Sequence, residues 1–149
     1  MKIKIICMGK LKSEFTPALE EYTKRMGRFC KLEIIEIPES YLPENPSDAD
    51  IKKALAAEAV IIKKQTAGFS VALAIDGKAL TSEDFAKTIA SKSEISFIIG
   101  SSHGLDSSIK TDLRLSFGKF TYPHSLMRVI LTEQLYRAFM INSGSKYHK

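Results

Sequence analysis

The sequence predicts an α/β fold built on a largely parallel sheet, and three observations lead there. Short apolar runs rich in Ile, Val and Phe recur at residues 2–8, 32–37, 69–75 and 95–99, the length and composition of buried strands. Segments with helical spacing of their apolar residues separate these runs. Helix caps, glycine turns and a proline-rich stretch mark the junctions between the two kinds of segment.

Residues 2–8 alternate as a first strand, and residues 14–29 follow as a helix, with Ser13 placed to cap it and Phe15, Leu19, Tyr22 and Met26 on one stripe. After the second strand, 32–37, the stretch 38–47 carries Pro38, Pro43 and Pro46 and is expected to be a loop. An alanine- and lysine-rich helix spans 48–66, and the strand 69–75 closes on the turn Asp76-Gly77-Lys78. Thr81 caps a third helix running to Ala90, with Glu83 and Asp84 at its positive end. The strand 95–99 runs into Gly100 and the small-residue loop 101–104, after which Asp106 is placed to cap a short helix. A short strand, 113–117, and a loop, 118–122, lead to Pro123 in the first turn of a long last helix. Met127, Leu131, Leu135 and Ala138 share one stripe of that helix, with Val129 and Ile130 beside it, and the tail 142–149 is polar. There is no repeat and no linker, so residues 1–149 are expected to form one domain.

Twenty-two Lys and Arg against 17 Asp and Glu leave a net charge of +5, which favours an anionic partner without identifying one. Lys24, Arg25, Arg28 and Lys31 cluster near the end of the first helix and Lys52, Lys53, Lys63 and Lys64 punctuate the second, yet solvated helix faces explain both groups equally well. No apolar run approaches the roughly 20 residues that cross a bilayer, so no membrane partner is expected. The first residues read as a strand and not as a signal peptide. A cytoplasmic location follows, with Cys7 and Cys30 as reduced thiols. The chain lacks both the G-x-x-x-x-G-K-[ST] phosphate loop and a G-x-G-x-x-G after its first strand. His103, His124 and His148 are too scattered for a zinc site, so no metal is expected. No G-x-S-x-G elbow surrounds Ser101 or Ser102.

What remains is three loops at the carboxyl ends of strands, 73–78, 100–105 and 117–122, where open α/β sheets bind ligands. Gly77, Gly100, Gly104 and Gly118 let the backbone approach a ligand closely or adopt positive φ. Backbone groups there suit the edge of an adenine, with Leu73, Ile99 and Phe120 covering its faces. Any one of these glycines also serves an ordinary turn; three converging loops favour the binding site.

The run Phe117-Gly118-Lys119-Phe120-Thr121-Tyr122-Pro123-His124-Ser125-Leu126-Met127-Arg128-Val129, the segment Glu133-Gln134-Leu135-Tyr136-Arg137-Ala138-Phe139 and the terminal Tyr147-His148-Lys149 closely resemble the ribosomal RNA large-subunit methyltransferase H family. The resemblance extends over the whole chain and includes residues 35–38 and 73–78. One departure is Gly100-Ser101-Ser102-His103-Gly104, where the family loop usually reads Gly-Gly-x-x-Gly; Ser101 puts a side chain where positive φ or close ligand approach would exclude one.

The resemblance implies a SPOUT fold with a C-terminal trefoil knot, something periodicity alone never indicates because knots are so rare. It implies an S-adenosylmethionine-dependent enzyme that methylates N3 of a pseudouridine in 23S rRNA of the ribosome. It also implies a homodimer, each site joining the cofactor loops of one subunit to residues of the other. Carried over by position, Leu73, Gly100, Phe117, Gly118, Lys119, Phe120, Thr121 and Tyr122 become cofactor contacts. His124, Glu133, Arg137, Tyr147, His148 and Lys149 become the residues that hold the RNA or assist loss of its proton. Glu133 and Arg137 also stand at the i,i+4 spacing of an ordinary surface ion pair, and the tail also fits a frayed end without a role. Two other readings stay open on sequence: a non-enzymatic basic ribosome-binding factor, and a SPOUT methyltransferase with a different RNA target.

Overall fold

The computed structural model describes residues 1–149. Strands β1 (Lys2–Met8), β2 (Lys31–Ile37), β3 (Phe69–Ala79), β4 (Glu94–Ile99) and β5 (Leu113–Ser116) form one sheet in the order β2-β1-β4-β3-β5. Every pairing is parallel, as the alternation of strands and helices requires. The helices are α1 (Thr16–Met26), α2 (Asp48–Gln65), α3 (Ser82–Ala90) and α4 (His124–Asn142).

The pleat of β1 divides the core in two. Ile3, Ile5 and Cys7 face the side covered by α1, α3 and α4, joining Met26, Phe85, Ile89, Leu131 and Leu135. Ile6 and Met8 face α2 and join Ala59, Ile62 and Ile98. Lys4 points the same way as Ile6 and donates to the Gln65 carbonyl at the end of α2, 3.1 Å away, so a cation meets the negative helix terminus. Ser47 and Asp50 form a reciprocal capping box on α2, and Thr81 accepts from the Asp84 N–H on α3. Cys7 and Cys30 are both buried and unbridged. Burial pushes the Cys7 thiol up to about 12, which leaves it un-ionised and unreactive at neutral pH. No helix is long and apolar enough to cross a membrane.

Four local expectations change. The first helix opens as a 3-10 turn, Ser13–Phe15, and Ser13 caps nothing; α1 starts at Thr16 with Pro17 in its first turn and ends at Met26. Asp106 caps a turn and not a helix, accepting from the Ser108 N–H at 2.8 Å. Pro123 is the cap of α4 and lies just before its first turn. The largest change is in β3, which continues through Asp76-Gly77-Lys78 to Ala79. Leu73 and Lys78 both pair with Leu115, so residues 74–77 bow out of the ladder between them. Gly77 permits the strand to rejoin, because a Cβ there would lie 2.8 Å from the Arg114 backbone.

α4 is bound to the ends of β1 and β2 by a buried cation. Arg128 is 1% exposed and meets Glu36 at 2.7 Å. It also donates to the carbonyls of Met8 and Gly9 at the end of β1. Ser125 adds a second tie by accepting from the Lys12 N–H at 3.1 Å.

Candidate active site

The bow in β3, the loop after β4 and the loop between β5 and α4 converge on one cleft of about 360 Å³, a size suited to a small-molecule cofactor. Leu73, Gly100, Phe117, Gly118, Phe120, Thr121 and Tyr122 line it, as the sequence leads one to expect, and Lys119 does not. His124 lines it as well, which separates this residue from the tail group it was expected to join.

The walls suit an aromatic ligand with polar edges. Ile75 and Phe120 belong to the lining and are 54% and 79% exposed, an apolar area that a planar ring would cover. His124 also carries a buried Nδ1 with no hydrogen-bond partner within the chain. Gly118 has φ of +113° and nothing within 4 Å of where a Cβ would stand. Ser101 is free of the strain its position threatened: no residue other than glycine has positive φ. It bridges to Gly104 across the loop, accepting the Gly104 N–H at 2.8 Å.

Sequence reasoning missed two charged residues of the lining, Asp76 and Arg114. They pair at 2.7 Å, and the Arg114 guanidinium holds the Asp76 carboxyl below its usual range. Asp76 stood within a loop already singled out; Arg114 reaches the site only because β5 pairs with the bowed β3.

Glu133, Arg137, Tyr147 and His148 come together elsewhere, as a second cluster further along α4. At 1.5 Å per residue, Glu133 and Arg137 lie roughly 14 and 20 Å along the helix from His124. Arg137 forks onto one Glu133 oxygen, with Nη2 at 2.6 Å and Nε at 3.1 Å. The Tyr147 hydroxyl donates to the same oxygen at 3.2 Å, and Gln134 donates to the other at 2.6 Å. Both carboxylate oxygens are thus engaged as acceptors, which fixes the carboxylate among its neighbours. The bond to Glu133 raises the Arg137 guanidinium further, and burial raises the Tyr147 phenol. With side chains 25% and 17% exposed, Arg137 and Glu133 form more than an ordinary surface pair.

The tail is folded back. Tyr147 stands edge-on to Tyr136 at 5.0 Å between centroids and beneath the Arg137 guanidinium at 4.9 Å. His148 meets Arg137 through Nδ1 at 3.3 Å and Glu83 of α3 through Nε2 at 2.8 Å. Lys149 is exposed beyond it. No group of His, Cys, Asp or Glu side chains is arranged to hold a metal ion.

A family model described as "Predicted SPOUT methyltransferase" matches residues 1–148. The chain belongs to this family. Among its relatives, proteins named ribosomal RNA large subunit methyltransferase H are 49% identical in Streptococcus equi subsp. zooepidemicus and 47% identical in Lactobacillus gasseri and Levilactobacillus brevis. Each alignment covers 100% of this chain and 100% of the relative. SPOUT methyltransferases take their methyl group from S-adenosylmethionine, and the cleft's volume and the exposed apolar side chains of Ile75 and Phe120 in its lining suit a donor of that size.

Proposed function

We propose that this chain transfers the methyl group of S-adenosylmethionine to N3 of a pseudouridine in large-subunit (23S) ribosomal RNA, on the ribosome. The single observation that carries the reading is the cleft built by three loops at the carboxyl end of a parallel sheet, in a chain that matches its relatives end to end. When bound, the cofactor supplies an electrophilic methyl group on a sulfonium. The chain's own work is to align the uracil-type ring and to favour its N3 anion, because N3–H is a poor nucleophile until the proton leaves. Arg137 and Lys149 supply positive charge toward the anion, and Tyr147 offers an aromatic face to a base. His124, on the cleft wall, serves the cofactor side of the site.

In this reading the enzyme is a homodimer, and the separation of the two clusters along α4 supports it. A residue roughly 14 Å along a rigid helix from the cleft serves that cleft best from a second chain. Leu126, Val129 and Ile130 are only half-buried on α4, apolar surface suited to a two-fold contact. The family's trefoil knot belongs to the same reading: α4 leaves β5, one edge of the sheet, and returns to the end of β1, where Arg128 ties it down. The compartment is the cytoplasm, which holds the ribosomes and keeps Cys7 and Cys30 reduced.

Mass spectrometry of ribosomal RNA nucleosides from a deletion strain, with and without the gene restored, tests the reaction. The expected result is loss of one methylated pseudouridine and its return with the gene. An unchanged nucleoside profile overturns the assignment, and loss of a different methylated nucleoside redirects it to another RNA target.

A further inference from the structure

The chemistry of the His148 contacts leads to a residue outside the matched motifs. The guanidinium of Arg137 has donors and no acceptor, so its 3.3 Å approach to Nδ1 requires that nitrogen to offer a lone pair. Glu83 is ionised at neutral pH: the bond to His148 holds its carboxyl below the ordinary range. An ionised carboxylate only accepts, so the 2.8 Å contact with Nε2 requires the proton there. Both ends therefore select the same neutral imidazole, protonated on Nε2. The result is a chain of four groups, Glu83, His148, Arg137 and Glu133, running from the first turn of α3 through the tail to α4.

We propose that Glu83 is a positioning residue for methyl transfer, setting the tautomer of His148 and through it the orientation of the Arg137 guanidinium. The inference rests on the methyl-transfer reading above for its catalytic consequence. Glu83 belongs to the N-terminal turn of α3, where Thr81 caps the helix, so the carboxylate stands on a rigid element and not on a loop. Its side chain is 52% exposed and that of His148 is 26% exposed, so the pair is accessible from solvent on the Glu83 side. The bond to Glu83 also ties down a tail that has no secondary structure of its own.

Removing Glu83 leaves the imidazole free to carry its proton on either nitrogen, and an Nδ1–H tautomer repels Arg137. The charged groups facing His148 are Glu83 on α3 and Arg137 on α4, with Glu133 behind Arg137 and Lys149 next in the chain. Protonated His148 donates from both nitrogens, which keeps the Glu83 bond and breaks the one to Arg137.

The test compares wild type, Glu83→Ala and Glu83→Gln in the full-length protein by two readouts. Nitrogen-15 NMR of the three imidazoles gives the tautomer of His148, assigned with a His148→Gln variant. Wild type should show Nε2–H, Glu83→Ala a mixture, and Glu83→Gln, whose amide oxygen still accepts, a return toward Nε2–H. Steady-state methyl transfer should show kcat lowered by about tenfold to a hundredfold in Glu83→Ala, the scale of a misplaced catalytic group. Affinity for S-adenosylmethionine should be unchanged, and Glu83→Gln should recover part of the rate. An unaltered His148 tautomer in Glu83→Ala, or a wild-type kcat in that variant, overturns the proposal. A wild-type protein that methylates no ribosomal RNA overturns the reaction and the catalytic role drawn from it, while the tautomer measurement still decides the Glu83–His148 pairing.

Discussion

Gly118 shows how one backbone angle shapes the cleft. With φ of +113° and open space where a Cβ would stand, it resists substitution through backbone strain and not through crowding, since a β-branched residue rarely adopts that region. Gly118→Val should therefore reshape the loop between β5 and α4 and weaken S-adenosylmethionine binding by about tenfold, near 1.4 kcal/mol. Titration calorimetry checks this, and undiminished affinity would remove the loop from the cofactor site. At this scale the sequence was legible where a motif named the residue: Gly118, Phe120, Tyr122 and His124 all line the cleft. Arg128 lies within a matched motif, yet nothing local announces that an arginine will be 1% exposed; the carbonyls that hold it lie at the end of β1, over a hundred residues away along the chain.

Among the elements, β3 and the tail depart most from their sequence reading. A Gly flanked by Asp and Lys reads as a turn, but β5 offers a pairing edge that draws residues 78 and 79 back into the sheet. The displaced residues 74–76 become cleft wall. The tail has no apolar stripe and reads as a frayed end. Tyr147 instead packs on Tyr136 and hydrogen-bonds Glu133. Deleting residues 147–149 should lower stability by about 1–3 kcal/mol, from one aromatic contact and the buried partners left without it. Affinity for S-adenosylmethionine should persist, because the cleft does not include the tail, while methyl transfer should fall far more than the tenfold that one lost phosphate contact explains. Denaturant unfolding, calorimetry and a methylation assay on the one variant separate these effects. A normal methylation rate would make the tail dispensable.

For the whole molecule, the composite site makes a prediction that a self-contained subunit does not share. At S-adenosylmethionine concentrations well below its weakened affinity, the Gly118→Val homodimer should run at about a tenth of the wild-type rate, and tail-deleted chains lack the second cluster, so both homodimers should be strongly impaired. Mixed dimers regain one intact site, sound loops from one chain facing the tail of the other. Co-refolding equal amounts should restore about a quarter of wild-type activity if pairing is random and two-fold. No recovery, with mixed dimers verified by mass, would show that loops and tail act within one chain. A second property is spread over the surface. Asp50 is lowered by the Ser47 N–H, Asp76 by Arg114, Glu83 by His148, Asp106 by Ser108 and Asp112 by the Ser70 N–H. A carboxylate whose folded value is depressed stabilises the fold above its unfolded value and loses that contribution as pH falls through the folded one. The thermal midpoint should thus be level above about pH 5 and decline as pH drops through the ordinary values of 4.5 and 3.8. A midpoint that holds down to pH 3 would contradict these bonds.

The sequence by itself determined the alternation of strands and helices, the parallel sheet, the family and the three loops that make the cleft. Each of these is written locally, in periodicity, caps and contiguous motifs, and local signals survive without knowledge of what packs against them. Tertiary structure alone decided that His124 belongs with the cleft and Glu133, Arg137, Tyr147 and His148 with a separate cluster, although all but the last two lie on one helix. It also brought Arg114 beside Asp76, closed β1 and β2 around Arg128, and set Glu83 against a histidine 65 residues later in the chain. Contacts between distant residues follow from how helices seat on the sheet, and spacing along the chain does not encode that.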